Sequence, residues 1–215
     1  MRPVLALADL EKQEKLHNDL RIVIILFVKP SDVDGKQIIG QFNFLNYFSG
    51  KYCTIYAPGY STIDQRKKYE DMCEIKGTNN TTWYYSDKAL NNFINEISAR
   101  LSSWVYENES SMILLQTQID KPKALNFTNC KYIEIAHGIR QGYIDSFERF
   151  IAQLIEHTKR AVTIHDLDNQ MITSIKLRDV LLMAIKDSKR IPKSARKIIT
   201  DKLFIRSSNV KRAKI

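Results

Sequence analysis

RIVIILFV, residues 21–28, decides the fold. Every position from Ile22 to Val28 is apolar and most are β-branched. A run without alternation is buried on both faces, as in a central strand of a parallel sheet covered on both sides. Seven apolar residues fall far short of the roughly twenty that a membrane span needs, so the run is read as a strand. Pro30 and the turn-forming SDVDG (31–35) end it. Outward from this strand, KYCTIYAP (51–58) reads as a second, closed by Pro58-Gly59. TTWYY (81–85), SMILLQT (111–117) and KYIEIA (131–136) read as three more.

Helices fit between them. Residues 9–19 predict a short helix leading into the first strand. Ser86 is placed to cap a second helix, with Asp87 complementing its dipole. There Leu90, Phe93, Ile94, Ile97, Leu101 and Trp104 repeat at helical spacing. HGIRQGYID (137–145) is expected to be a loop opening a long helix, whose face carries Ile144, Phe147, Ile151, Leu154 and Ile155. The alternation predicts an α/β fold with a single mixed or mostly parallel sheet of about five strands flanked by helices. The connections 29–50 and 118–130 lack obvious long helices, which favours some antiparallel pairing.

Charge divides the chain in two. Residues 171–215 hold 13 Lys and Arg against 3 Asp and Glu, a net +10, while residues 1–170 carry −1. The organisation expected is therefore an α/β domain over 1–170 and a basic helical C-terminal region and tail over 171–215. On a helix, Lys186, Lys189, Arg190, Lys193, Arg196 and Lys197 form a basic surface suited to a polyanion or an acidic subunit. Ile175, Leu177, Val180, Leu181, Met183, Ala184 and Ile185 supply an apolar docking side.

Most catalytic classes are excluded by their missing motifs. Gly35-Lys36 and Gly50-Lys51 are not phosphate loops: the first lacks the leading glycine, because position 30 is Pro, and is followed by Gln37. The second has Leu45 and Tyr52 where a glycine and a hydroxyl are required. No G-x-G-x-x-G, G-x-S-x-G or H-E-x-x-H occurs. His17, His137, His157 and His165 make no ligand pair, and HDLDNQ (165–170) lacks the glycine and glutamate of a calcium loop. Cys53, Cys73 and Cys130 are odd in number without short spacing, so buried free thiols are expected. Neither a metal nor a cofactor is called for. The brief apolar run before Asp9 is too short for a signal peptide, and the expectation is a cytoplasmic protein that avoids membranes.

The loops after the strands carry the candidate site. Ligands of α/β sheets bind at the carboxyl ends of strands. Lys29, Ser31 and Asp32 follow the first strand; Ser86 and Asp87 follow the third; His137, Gly138 and Arg140 follow the fifth. With parallel strands these loops converge. Asp32, Asp87, His137 and Arg140 are the catalytic candidates, and Lys29, Ser31, Ser86 and Gly138 the ligand contacts. In FNFLNYFSGKYCTIYAPGYS (42–61), alternation sets Cys53 and Ile55 toward one layer and Tyr52 and Tyr56 toward the other. Tyr52 and Tyr56 are the possible contact surface; the rest reads as scaffold.

That stretch, with SSWVYENESSMILLQ (102–116) and ALNFTNCKYIEI (124–135), resembles uncharacterised bacterial α/β proteins found among anti-phage defence genes. The resemblance spans residues 21–160 and rests on Tyr47, Ser49, Gly50, Gly59, Tyr60, Trp104, Tyr106, Asn126 and Phe127. It implies a bacterial, multi-component setting and brings no catalytic residues with it. The leading expectation is a sensor or adaptor that contacts a nucleotide or protein partner through its α/β domain. One alternative is a nucleotide-processing hydrolase acting on a glycosidic bond or an NAD-type substrate. Asp32 and Asp87 would be its acid and base, with His137 or Arg140 holding phosphate. The other is a nucleic-acid-binding protein without sequence preference.

Overall fold

The computed structural model describes residues 1–17, 19–48, 50, 53–76, 82–101, 104–119, 121–161, 163–167 and 205–207. Strand β1 (Arg2–Val4) is followed by α1 (Leu7–Lys15), which hands the chain to β2 (Ile22–Phe27). Two short helices, α2 (Gly35–Gly40) and α3 (Phe42–Phe48), cross to β3 (Cys53–Pro58). β4 (Tyr60–Ser61), β5 (Cys73–Lys76) and β6 (Thr82–Tyr85) come next, then α4 (Asp87–Arg100). β7 (Ser111–Thr117) turns into β8 (Leu125–Glu134), and α5 (Ile135–Arg140) and α6 (Phe147–Thr158) follow. Residues Ile205–Ser207 form β9.

The main sheet is mixed, in the order β1–β3–β2–β7–β8–β9. β3 is parallel to both β1 and β2, whereas β7 is antiparallel to β2 and β8. β9 adds to the outer edge of β8, with Arg206 opposite Tyr132. This is the mixed α/β sheet expected, and all six residues of β2 are buried. The six basic residues from Lys186 to Lys197, and Tyr52, lie outside the described residues.

Two expectations about the elements change. TTWYY does not join the main sheet. β6 sits in the middle of a separate antiparallel sheet, β4–β6–β5. Its burial alternates, with Trp83 and Tyr85 inside and Thr82 outside, which suits a sheet covered on one face only. Gly59, at φ +83, turns the chain between β3 and β4, and a Cβ there would stand 3.0 Å from Leu90 Cβ. Second, His137-Gly138 lies inside α5 rather than in a loop. Ile135, Ala136 and Gly138 face inward, and a Cβ on Gly138 would meet Ile144 Cδ1 at 2.7 Å.

α4 begins as expected. Ser86 Oγ accepts from the Ala89 amide at 3.0 Å, and Leu90, Phe93, Ile94 and Ile97 are buried. The helix stops at Arg100 because Leu101 leaves the helical region, at φ −122 and ψ 76. Trp104 therefore belongs to the segment that follows. α6 is capped in the same way by Ser146, whose Oγ accepts from Arg149 N. Cys53 and Cys130 are buried, but Cys73 is exposed, because β5 is an outer strand of the small sheet. Among the described residues no helix is long and apolar enough to cross a membrane.

Strand direction positions the site. Phe27 at the end of β2 is in register with Ser111 at the start of β7, which is in register with Glu134 at the end of β8. One end of the sheet, called here the carboxyl edge, thus gathers the ends of β2, β3 and β8 and the beginning of β7. The opposite, amino edge holds the start of β2 and the turn between β7 and β8.

Candidate functional site

The loop after β2 is folded back on itself. Asp32 Oδ2 accepts from the Lys29 amide at 3.1 Å, and the Asp32 amide donates to Lys29 O. Gly35 closes the loop, its amide donating to Asp32 O at 2.9 Å. A Cβ on Gly35 would stand 1.9 Å from Lys29 O, so only glycine fits there. Ser110 Oγ reaches Asp32 Oδ2 at 3.5 Å from the other side of the edge.

Aromatic rings make the floor. Phe27, fully buried, lies 5.1 Å from the Trp104 ring, 5.8 Å from Tyr106 and 6.3 Å from Phe93. Such tilted and edge-on contacts add to plain burial. Tyr60 packs on Tyr85 at 4.9 Å and donates its hydroxyl to Val28 O, while Tyr85 donates to Asp87 Oδ1 at 2.7 Å. The Tyr106 hydroxyl is buried with no hydrogen-bond partner among the described residues. An orphaned buried hydroxyl is uncommon and costs stability.

The electrostatics are acidic. Burial, followed by the charges of Asp32, Asp87 and Glu109, pushes the Tyr106 phenol well above its ordinary range. Burial, then the charges of Asp32 and Asp87, raise Tyr60, and burial with the Asp87 bond raises Tyr85. Asp32 is itself pushed up by burial, against the pull of the Lys29 amide and ammonium. Beside these rings opens a cleft of about 290 Å³, lined by Trp104, Val105, Glu107, Glu109, Ser110, Ser111, Tyr132 and Glu134. Its carboxylates outnumber the cations at hand. Arg140 donates to Glu109 Oε2 at 2.6 Å, and Lys29 Nζ donates to Asn108 Oδ1 at 3.1 Å.

No protein-family model, curated protein or solved structure matches this chain. Its function is therefore argued from the site.

Several of the expected site residues do meet. Lys29, Asp32, Asp87 and Arg140 all stand on the carboxyl edge, the first three around the tyrosine cluster and Arg140 on Glu109. β2 and β8 point the same way, each being antiparallel to β7 between them, so the segments after these two strands share an edge as the loop argument required. Asp87, in contrast, follows β6 of the small sheet. Ser31 is exposed in the β2 loop, and His137 is half-buried on α5. Ser86 is fully buried as the cap of α4, donating to Asp71 Oδ1 at 2.8 Å. Gly138 is a packing glycine. Tyr56 is no contact surface: β3 is covered on both faces, and the Tyr56 hydroxyl donates to buried Glu14 at 2.6 Å.

Trp104, Tyr106, Glu107, Glu109 and Glu134 were not among the candidates. The first four lie in an irregular segment that precedes a strand instead of following one, and the helical spacing had assigned Trp104 to α4. Among the described residues, no group of three or more His, Cys, Asp and Glu is arranged to hold a metal ion.

Proposed function

We propose that this chain is a contact module, a sensor or adaptor in a bacterial multi-component system of the anti-phage defence type. Its carboxyl edge engages a protein partner. The observation that carries this reading is the acidic, ring-walled cleft with Glu107, Glu109 and Glu134 in its lining. A phosphate-bearing substrate entering there meets an excess of negative charge, and the nearest arginine, Arg140, is already held by Glu109. A cationic, partly apolar protein surface meets complementary charge and rings. These features support an adaptor over a nucleotide-processing hydrolase.

Co-expression with the products of flanking genes tests the reading. A stable complex is expected with the native chain, weakened at least tenfold when Glu107, Glu109 and Glu134 are all replaced by Ala, a loss of about 1.4 kcal/mol. A nucleotide panel including NAD is expected to stay intact, and turnover of any member overturns the adaptor reading in favour of the hydrolase.

The basic C-terminal residues support a second contact, with a polyanion or an acidic subunit, because the whole positive excess is concentrated there. Replacing Lys186, Lys189, Arg190, Lys193, Arg196 and Lys197 by Gln in the full chain is expected to weaken duplex DNA or RNA binding. The salt dependence of that binding, measured by fluorescence anisotropy, should flatten with it. Binding that is insensitive to salt in the native chain overturns this contact.

A further inference from the structure

The two ends of the main sheet differ in charge. At the carboxyl edge stand Asp32, Asp34, Asp87, Glu107, Glu109 and Glu134, and beside them the exposed apolar Val33 (98% exposed) and Val105 (75%). The amino edge has the opposite character. Thr117 Oγ1 accepts from the Arg21 amide and donates to Asp19 O, tying the entry of β2 to the end of β7, and Leu20 and Ile119 are exposed on these two segments. α1 ends at the same edge with Lys12 and Lys15 in its last turn, followed by Leu16, 81% exposed. The turn between β7 and β8 adds the exposed Lys121 and Lys123. Three carboxylates near this edge have cationic partners, Asp19 in Arg21, Glu11 in Arg100 and Glu156 in Lys159, whereas at the carboxyl edge Glu109 is paired with Arg140.

From these two faces we infer that the partner at the carboxyl edge is the amino edge of a second copy of this chain. This rests on the reading of the carboxyl edge as a contact surface. Leu16, Leu20 and Ile119 of one copy meet Val33 and Val105 of the next, and lysines meet the cleft carboxylates. Large apolar side chains exposed beside complementary charge mark an association surface. Each copy uses two different surfaces, so the contact is heterologous. It leaves one acidic and one basic end open at every stage, and growth continues into a ring or a filament.

The test uses the nucleic-acid-free full chain in sedimentation velocity over a concentration series. The weight-average mass is expected to rise beyond two copies with concentration and to fall at high salt, where the charge attraction is screened. Two variants change exposed positions: Val105→Lys with Glu107→Lys at the carboxyl edge, and Leu16→Gln with Leu20→Gln and Lys121→Gln at the amino edge. Each alone is expected to remain monomeric with an unchanged thermal melt. Mixed in equal amounts they should form a pair and stop there, because one intact acidic edge and one intact basic edge remain. A native chain that is monomeric at every concentration overturns the inference. So does self-association that survives either variant, or a mixture that stays monomeric. If the flanking-gene complex is lost in the glutamate variant while the native chain is monomeric alone, the contact reading stands and only the second copy falls. If the native chain self-associates as described but no flanking-gene complex depends on the glutamates, the adaptor role falls and the self-contact stands.

Discussion

Phe27→Ala is expected to lower global stability by about 3–5 kcal/mol and to dismantle the cleft with it. Phe27 ends β2, is fully buried, and touches rings from two other parts of the chain: Phe93 on α4, and Trp104 and Tyr106 in the segment before β7. Truncation removes the burial of one large ring and the edge-on contacts that orient the others. The neighbours are anchored on different elements, so the void cannot simply close. Urea denaturation should give the loss as a lower midpoint with a similar slope. The near-ultraviolet signal of Trp104 should weaken even where the chain remains folded. Phe27→Leu keeps most of the volume and is expected to cost less, about 1 kcal/mol. A Phe27→Ala chain within 1 kcal/mol of the native one would show that the rings are held by something other than their packing.

Glu14→Ala is the second large effect, a loss of about 3 kcal/mol. Glu14 is 3% exposed on α1, with Oε1 accepting from the Tyr56 hydroxyl at 2.6 Å and Oε2 lying 4.0 Å from Arg21 Nε. Removing the carboxylate leaves a buried phenol without its acceptor and a mostly buried guanidinium with Asp19 as its remaining partner. Burial, and then the bond to Glu14, pushes the Tyr56 phenol well above its ordinary range, so it is the donor at neutral pH. Glu14→Gln retains an acceptor for Tyr56 and is expected to cost about half as much, since only the ionic component is lost. A double-mutant cycle with Tyr56→Phe isolates the hydrogen bond. A coupling below about 0.5 kcal/mol would show that Glu14 acts through Arg21 alone.

The fold was legible where burial leaves a pattern. The unbroken apolar run at 22–28 marks the central strand, and the helical spacing from Leu90 to Ile97 marks α4. Strand direction left no such mark. Periodicity is the same for parallel and antiparallel strands. The lack of an obvious long helix pointed rightly to reversal across 118–130. It pointed wrongly across 29–50, where two short helices join the parallel β2 and β3. Lys29, Asp32 and Arg140 share an edge for the expected reason, since β2 and β8 point the same way, while Asp87 follows a strand expected in the main sheet but found in the small one. Tyr106 and Glu109 were hidden because they enter a strand instead of leaving one. Tyr56 misled because alternation tells which residues share a face, not whether that face is covered. The C-terminal charge was plain in composition, which says nothing of the partner that uses it.

One end of the strand order has a consequence for how this molecule tolerates crowding. β1 is three residues long, and its middle residue, Pro3, has no amide hydrogen to offer. An incoming strand finds too few bonding groups there to align on, which is how exposed sheet margins resist fibrillar stacking. Replacing Pro3 by a β-branched residue would restore a complete row of donors. The proline thus leaves this margin one donor short, at a position outside the lining of the cleft.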